Sequence, residues 1–415
     1  MRILKQLSRL LVVLLPPITA VAQAATLTGF AALPADTFRP GPTSGAFIKA
    51  ANQRHPPFVD QQPVQGFSAL ISGGDGSFFV ISDNGFGSRD NSSDYLLCIY
   101  QIHPDFRTAA NGSGVIRVGN IINLRDPGFY LPYPAARDPG KTGNDETGNT
   151  PTRSPETTQI GPGDRLLTGA DLDPESFRRL ADGSFWVGEE FNPALLHFSA
   201  DGALLAPPFK LAGLNSVGNP TGEPASLPRS RGFEGMAISP DGKWLYPMLE
   251  GALRGSEPGL NIYTFDISEQ IFVNKDAEHP SYRYRLDETA TAIGDFTMFS
   301  PTAGLVIERD SAEGDKAAIK KIYRVDFEQL DADGFLRKSL VADLLNISDP
   351  DDLNRDGDTH FSFPFWTIEG LVILNATTLG IVNDNNYPQG QARDNTGTHP
   401  DDNEFILIEV DALWD

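Results

Sequence analysis

The chain has 415 residues, a formal net charge of -22 and a hydrophobic content of 40%, with 26 Phe, 40 Gly and 32 Pro. An acidic surface of this kind repels nucleic acid and anionic membranes, which excludes both as expected partners. The apolar content excludes a disordered chain and indicates a large packed core, whereas the frequent Gly and Pro favour turns over long helices.

Residues 1–24 have the pattern of a signal peptide. A basic start with Arg2 and Lys5 precedes an apolar run, and Ala22-Gln23-Ala24 fits a small-residue cleavage site. The run is shorter than the roughly 20 residues that span a bilayer, which argues against the alternative of a membrane anchor. We therefore expect an exported protein, periplasmic or secreted, that does not insert into a membrane and works as a monomer.

Five later segments repeat one plan, in which a short apolar strand, a turn and a second strand carry a polar residue at each end, and the turn is Asp-Gly in the first three segments. The segments start at Ser68, Glu175, Glu234, Asp295 and Glu369, and their second strands end at Asp83, Glu190, Glu250, Glu308 and Asp384. Asp-Gly between apolar runs is a strong hairpin signal. We assign the turn residues Asp75, Asp182 and Asp241 to turn chemistry rather than to a site.

A third strand, with alternating apolar and polar residues, follows each hairpin, as at residues 262–266 and 406–410. This order of strands is typical of a propeller blade. The predicted fold is therefore all-β, a β-propeller of about six blades, because the long gap after the first repeat has room for a diverged blade. We expect a single domain over residues 25–415, with a loop insertion at 125–164. A β-sandwich is the alternative, but it does not explain the acidic residue that recurs at both ends of the hairpin.

The innermost strands of a propeller line a central channel, so equivalent repeat positions meet in space. Carboxylates gathered there repel one another unless a cation lies between them. Oxygen ligands without a cluster of His or Cys suit Ca²⁺. The sequence thus predicts a calcium site with the candidate ligands Asp83, Asn84, Glu175, Glu190, Glu234, Glu250, Asp295, Glu308, Glu369 and Asp384. The alternative is that these acids only cap strand ends by accepting backbone hydrogen bonds.

Residues 352–358 form a separate calcium candidate, because they match the first half of an EF-hand loop, including Gly357 at its sixth position. The twelfth position is Phe363 rather than the usual Glu. An acid from elsewhere would have to complete such a site.

Arginine residues accompany the acidic strand ends: Arg231 precedes Glu234, Arg254 follows Glu250, and Arg309 follows Glu308. A guanidinium group can hold phosphate or carboxylate oxygens, although an ion pair with the adjacent acid is the simpler interpretation of each. We take Glu234, Arg231, Arg254 and Arg309 as candidate catalytic residues. The chain has no Gly-x-Ser-x-Gly, His-Glu-x-x-His or Cys-x-x-Cys motif, which excludes the common serine hydrolases and zinc sites.

Several of these segments together resemble a bacterial family of phytase-like proteins, often described as having "esterase-like activity of phytase". The likeness lies in Asp171-Leu172-Asp173-Pro174-Glu175-Ser176-Phe177, Gly183-Ser184-Phe185-Trp186-Val187-Gly188-Glu189-Glu190, Arg231-Gly232-Phe233-Glu234-Gly235-Met236 and Ile368-Glu369-Gly370. The resemblance implies an exported propeller and calcium-assisted hydrolysis of phosphate esters. The Asp-Asp-Pro-Ala-Ile-Trp signature of true propeller phytases is absent, so phytate itself is not the expected substrate.

The function expected from these observations is calcium-dependent hydrolysis of a small-molecule ester, with phosphoesters as the first substrate class. Two alternatives remain open. A propeller with an acidic ring around one metal could be a lactonase, and the fold alone is equally compatible with a non-catalytic binding or scaffold protein.

Overall fold

The computed structural model of the chain describes residues 24–132, 165–219, 222–256 and 259–414. The predicted signal peptide, apart from its last residue, and positions 133–164 of the predicted insertion lie outside the described residues. The described part contains 25 strands and a single 3₁₀ turn at Gly314–Lys316, which confirms the all-β prediction. Within it, no helix is long and apolar enough to cross a membrane.

The first half of the chain supplies ten strands. They are β1 (Thr26–Leu33), β2 (Phe38–Pro40), β3 (Gln61–Pro63), β4 (Phe67–Ser72), β5 (Phe78–Ser82), β6 (Cys98–Asp105), β7 (Val115–Asn123), β8 (Pro174–Arg179), β9 (Phe185–Glu189) and β10 (Ala194–Phe198). The second half supplies the rest. They are β11 (Phe233–Ile238), β12 (Trp244–Leu249), β13 (Leu260–Ile262), β14 (Phe265–Asp266), β15 (Ile271–Phe272), β16 (Tyr282–Tyr284), β17 (Ala292–Ser300), β18 (Ala303–Arg309), β19 (Lys320–Leu330), β20 (Leu336–Asp343), β21 (Ile347–Ser348), β22 (His360–Phe361), β23 (Thr367–Ile373), β24 (Thr378–Asp384) and β25 (Asn403–Glu409).

These strands form five antiparallel blades around a common axis. From the inside outwards they are β4 to β7, β8 to β10, β11 to β16, β17 to β20, and β23 to β25 followed by β1. The inner strands contact one another in the order β4, β8, β11, β17, β23, and β23 contacts β4, so the ring closes. The described residues therefore form five blades, and the expected sixth is not among them. The long strands β6 and β7 lie in the gap between the first two repeats.

The fifth blade is completed by the first strand of the structure. β1 pairs antiparallel with β25, from Thr26 opposite Glu409 to Leu33 opposite Asn403. A strand from near the start of the chain thus holds the last blade in the ring. Nothing in the local sequence of β1 predicted this pairing.

The Asp-Gly turns have the expected local chemistry. The carboxylates of Asp75 and Asp182 accept the backbone N–H two residues later, at 3.0 and 2.9 Å. The intervening Gly76 and Gly183 have φ values of 85° and 89°, a left-handed conformation that glycine adopts without steric cost. These turns set the register of the inner hairpins, so the two ends of each hairpin return to the same face of the propeller.

A buried ion pair joins the second and fourth blades. The Arg178 guanidinium, on the second blade, donates to the Asp295 carboxylate on the fourth blade at 3.2 Å and to the Phe296 carbonyl at 2.7 Å. The other oxygen of Asp295 accepts the backbone N–H of Leu371 on the fifth blade at 2.9 Å. Both side chains are buried. This contact ties three blades together across the channel.

Candidate metal centre

A β-bulge lies at the same place in the inner strand of four blades. The strand register shifts between Phe67 and Ala69, Pro174 and Ser176, Phe233 and Gly235, and Ile368 and Gly370. A bulge leaves one residue unpaired and redirects its side chain. The bulged residues are Ser68, Glu175, Glu234 and Glu369, so one repeated backbone irregularity places these four side chains at one level of the channel.

A second level is formed on the second strand of each inner hairpin, by the residue that follows the partner of the residue just before the bulge. These residues are Asp83, Glu190, Glu250 and Asp384 in four blades. In the fourth blade Ile293 pairs with Glu308, so the equivalent residue is Arg309, and Gly294 takes the bulged position. The repeat alignment made from the sequence is therefore one residue out of register in this blade.

The register difference explains why Asp295 and Glu308 lie away from the other predicted ligands. A shift of one residue turns a side chain to the opposite face of a strand. Asp295 pairs with Arg178, as described above. Glu308 accepts the Tyr284 hydroxyl at 2.5 Å and pairs with Lys338 on the outer side of the sheet. Arg254 is exposed on the loop after Glu250, outside the centre.

Eight carboxylates, here called the channel acids, surround the upper end of the channel. They are Asp83, Asp173, Glu175, Glu190, Glu234, Glu250, Glu369 and Asp384. All are buried except Asp83, which is partly exposed. Three groups have oxygens within 4.8 Å of one another: Asp173 with Glu175 and Glu190, Glu175 with Glu234 and Glu369, and Glu190 with Glu234 and Glu250. The structure thus brings together most of the predicted ligands.

Asp173 belongs to this centre but was not among the predicted ligands. It stands directly before β8, where the equivalent residues of the first and third blades are Gly66 and Gly232. Its Oδ1 atom accepts the backbone N–H of Asn84 at 3.0 Å and the side-chain amide of Asn84 at 2.8 Å. Asn84 therefore supports a channel acid. Only the run of acids in Asp173-Pro174-Glu175 could have indicated Asp173 in advance.

Arg309 contacts three channel acids through a single nitrogen. Its Nη2 atom lies 3.0 Å from Glu234, 3.2 Å from Glu250 and 3.2 Å from Glu369. Burial alone would lower the pKa of Arg309, but these carboxylates outweigh burial and raise it. Arg231, which is partly exposed, pairs with the other oxygen of Glu250 at 2.8 Å. Among the described residues, these are the two cationic side chains in ion pairs with channel acids.

Burial and the repulsion of neighbouring carboxylates raise the pKa values of six channel acids: Asp83, Glu175, Glu190, Glu234, Glu369 and Asp384. For Glu175, burial is the main cause, followed by the charges of Asp173, Glu369 and Glu234. Burial and Glu250 raise the pKa of Glu234 to about 8, although Arg309 opposes them. Burial raises the pKa of Asp384 to about 6, against hydrogen bonds from Asn386 and Thr367. The ionised forms of these carboxyl groups are therefore unfavourable in the protein without metal, and a bound cation would stabilise them.

The donor set fits calcium. The three groups contain carboxylate oxygens only, with no His or Cys, which is the chemistry that hard cations prefer. The Ser68 hydroxyl, fully buried at the bulged position of the first blade, has no hydrogen-bond partner among the described residues and adds a neutral oxygen. These residues could hold a cation.

Two other groups of acidic residues differ from this centre, because their carboxylates already have partners within the protein. In the loop at 352–358, Asp352 and Asp356 already accept the backbone N–H groups of Gly357 and Asp358. A cavity of about 360 Å³ lies beside the end of β1. Of the acids that line it, Asp36 pairs with Arg54 at 2.5 Å and Glu404 with Arg393 at 2.7 Å. Neither group therefore resembles the channel acids, whose buried carboxylates outnumber their positively charged partners.

The metal-free protein is expected to lose stability as the pH rises from about 4 to about 8. In the unfolded chain carboxyl groups ionise near pH 4, whereas Glu234 in the folded protein keeps its proton up to a pKa of about 8. The folded state therefore binds more protons than the unfolded state across this window, so the free energy of unfolding falls with pH. The melting temperature in EGTA, measured at pH 5, 6, 7 and 8, checks this. A melting temperature that rises over the window would contradict the expectation, and Glu234→Gln should flatten the fall.

An uncharacterized secreted protein of Arthroderma benhamiae is 28% identical over 206 residues, which cover 40% of this chain and 39% of that protein, so the match spans well under half of the relative.

Three solved structures show a weak similarity to the structure of this chain. A calcium-binding regucalcin of Agrobacterium tumefaciens has 11% identity and a TM-score of 0.36, with 90% of this chain and 97% of that chain covered. A gluconolactonase of Xanthomonas campestris has 12% identity and a TM-score of 0.31, with 94% and 99% covered. An endo-arabinanase of Bacillus licheniformis has 11% identity and a TM-score of 0.39, with 83% and 93% covered. Likeness at this level says nothing about the chemistry of this chain.

Residues 62–387, which include the inner strands of all five blades and every channel acid, match the family described as "Phytase-like: Esterase-like activity of phytase". The resemblance in the sequence motifs is thereby confirmed, and the protein belongs to this phytase-like family.

Proposed function

We propose that the protein is an exported hydrolase of ester bonds that depends on calcium bound by the channel acids. The observation that carries the proposal is the imbalance of charge in the channel, where eight carboxylates face the guanidinium groups of Arg309 and Arg231. Buried like charges at these separations either take up protons or bind a cation. Membership of the phytase-like family supports ester hydrolysis as the activity that such a cation serves.

The side chains around the centre have distinct parts in this proposal. Calcium, when bound, would polarise an oxygen of the substrate and lower the pKa of a water molecule. Arg231 lies at the edge of the centre with 35% of its side chain exposed, so it can donate to an oxygen that gains negative charge. Glu234, with its pKa raised to about 8, can hold or release a proton near neutral pH and is the candidate general acid or base.

Phosphate monoesters are the first substrate class, because Arg231 and Arg309 offer the donors that bind phosphate oxygens. A second candidate substrate is a neutral lactone or carboxyl ester. The channel acids outnumber the neighbouring arginines, so a dianionic phosphate meets repulsion that an uncharged ester does not. Because of this charge balance, lactonase activity should be assayed as well as phosphatase activity.

The location is part of the proposal. The leader pattern at residues 1–24 and a relative described as secreted both support export to the periplasm or the medium. Calcium is abundant enough outside the cytosol to fill sites with dissociation constants of about 10⁻⁴ to 10⁻³ M.

Activity assays on a phosphomonoester, a carboxyl ester and a lactone test the function directly. Turnover of at least one substrate should require calcium and be lost in EGTA. Arg231→Met should lower kcat/KM by about a hundredfold if its guanidinium stabilises charge in the transition state. The matched control is Arg117→Met, since Arg117 is exposed on β7 far from the channel, and it should keep full activity. Turnover that persists in EGTA would contradict the calcium mechanism, and no turnover on all three would favour a binding protein.

A further inference from the structure

We infer that Asp173, Glu175 and Glu190 bind one divalent cation, and that the guanidinium of Arg309 is a built-in cation that occupies the place of a second. This inference rests on the proposed function in so far as it assigns residues of the same centre. It goes further by separating three channel acids that bind metal from three others, Glu234, Glu250 and Glu369, that the protein neutralises itself.

Two of the three groups of acids already contain a cation of the protein. Glu234 is common to both, and Arg309 donates to it at 3.0 Å. In one group Arg309 also contacts Glu369, and in the other it contacts Glu250, each at 3.2 Å. A nitrogen that is within hydrogen-bond distance of three carboxylates from different segments stands where a metal ion would otherwise bridge them.

The remaining group, Asp173 with Glu175 and Glu190, has no such partner. Among the described residues no lysine or arginine forms an ion pair with Glu175 or Glu190, the side-chain hydrogen bond of Glu190 is to another carboxyl group, that of Glu250, and Asp173 accepts only from Asn84, through Oδ1. Glu175 is 7% exposed and Glu190 is 6% exposed. Buried carboxylates without a cationic partner carry a high desolvation cost that a divalent cation would remove.

Ser68 provides an independent observation that points to a ligand at this level. It occupies the bulged position on β4, which contacts β8, the strand that carries Glu175. The same bulge on β8 aims Glu175 into the channel, so the Ser68 hydroxyl is directed there too. This hydroxyl belongs to a residue with no exposure and has no protein partner in the described part of the chain. A buried hydroxyl of this kind needs an acceptor, a water molecule or a cation.

The fourth blade supplies a positive charge of the protein's own to the channel. At the bulged position, where three other blades carry Glu, it has Gly294, and a Cβ atom there would lie 1.8 Å from the Ile368 carbonyl oxygen. No side chain fits at that point. At the second level, where four blades carry an acid, it has Arg309. The blade thus contributes one positive charge where each of its neighbours in the ring contributes negative charge.

Calcium titration by calorimetry, with atomic-emission analysis of the dialysed protein, tests the inference without relying on turnover. Wild type should bind one calcium ion in the channel. Glu175→Gln should weaken binding by at least about a hundredfold, whereas Glu234→Gln, which removes the same charge from the same level, should weaken it by about tenfold or less. The control Glu308→Gln should bind as wild type, because Glu308 lies on the other side of the sheet.

The role of Arg309 is tested by the number of calcium ions that its variants bind. Arg309→Gln should bind a second calcium ion and should regain its melting temperature when calcium is added, whereas Arg309→Lys should keep a stoichiometry of one. If Arg309→Gln does not fold in EGTA, purification in calcium and the ion count of that sample give the same answer.

The outcomes separate this inference from the proposed function. Two ions in wild type, equal effects of Glu175→Gln and Glu234→Gln, or one ion in Arg309→Gln would overturn the division of the acids. Calcium counts as expected, with no ester hydrolysed, would overturn the proposed function and leave the assignment of the metal centre standing.

Discussion

The melting temperature of the purified protein is expected to rise by about 5 °C or more when calcium replaces EGTA at neutral pH. A ligand that binds only the folded state at about a thousand times its dissociation constant stabilises that state by about 4 kcal/mol. The increment is large here because the ion also relieves repulsion among buried carboxylates such as Glu175, whose pKa is raised by burial and by Asp173. Differential scanning fluorimetry across calcium concentrations measures the effect.

Matched variants show whether the stabilisation comes from the channel. Glu175→Gln should lose most of the calcium-dependent rise, and its melting temperature in EGTA should equal or exceed that of wild type because one buried charge has been removed. Glu308→Gln, one residue from Arg309 but outside the centre, should keep the rise. An undiminished rise in Glu175→Gln would place the stabilising ion elsewhere, with the loop at 352–358 as the first alternative to examine.

Arg178→Met is expected to reduce the free energy of unfolding by about 3–5 kcal/mol. The substitution leaves the Asp295 carboxylate buried without its counter-charge, in the middle of the ring. Breaking a buried ion pair from one side has this cost because the remaining charge is neither hydrated nor neutralised. Chemical denaturation, with the slope m compared between variants, gives the value.

The double variant Arg178→Met with Asp295→Asn is the informative control. Asn at position 295 can still accept the Leu371 N–H but carries no charge, so the double variant should be more stable than Arg178→Met alone. Arg117→Met, at an exposed position on β7, should leave the denaturation midpoint unchanged. A loss in the double variant equal to the sum of the two single losses would show that the pair is not coupled.

Much of the centre could be predicted because its signals are local. Asp-Gly turns between apolar runs identify the inner hairpins, and the Glu of Glu234-Gly235 and Glu369-Gly370 stands where no turn needs it. Equivalent positions of such hairpins meet in a propeller, so the grouping of Glu175, Glu234 and Glu369 follows from the repeat. The family resemblance rests on these same segments.

The errors arise where geometry depends on distant parts of the chain. The irregular pairing of β17 at Gly294 and Asp295 changes which residues face the channel, and no sequence pattern distinguishes Arg309 from Glu308 as the inward residue. The blade count failed because spacing alone does not separate long outer strands from an additional blade. The pairing of Thr26 with Glu409 is a contact between strands at opposite ends of the described sequence, which periodicity does not reveal.

The pairing of β1 with β25 also sets the order in which the blades can form. The first four blades consist of consecutive segments, so each can form as soon as its own strands are available. The fifth is complete only when β25 pairs with β1, and before that β1 can make only short contacts, with β7, β21 and Arg107. Glu369 and Asp384 come from this blade. A chain that has not yet formed its fifth blade therefore has an incomplete set of carboxylates, and the full centre exists only once β25 has paired.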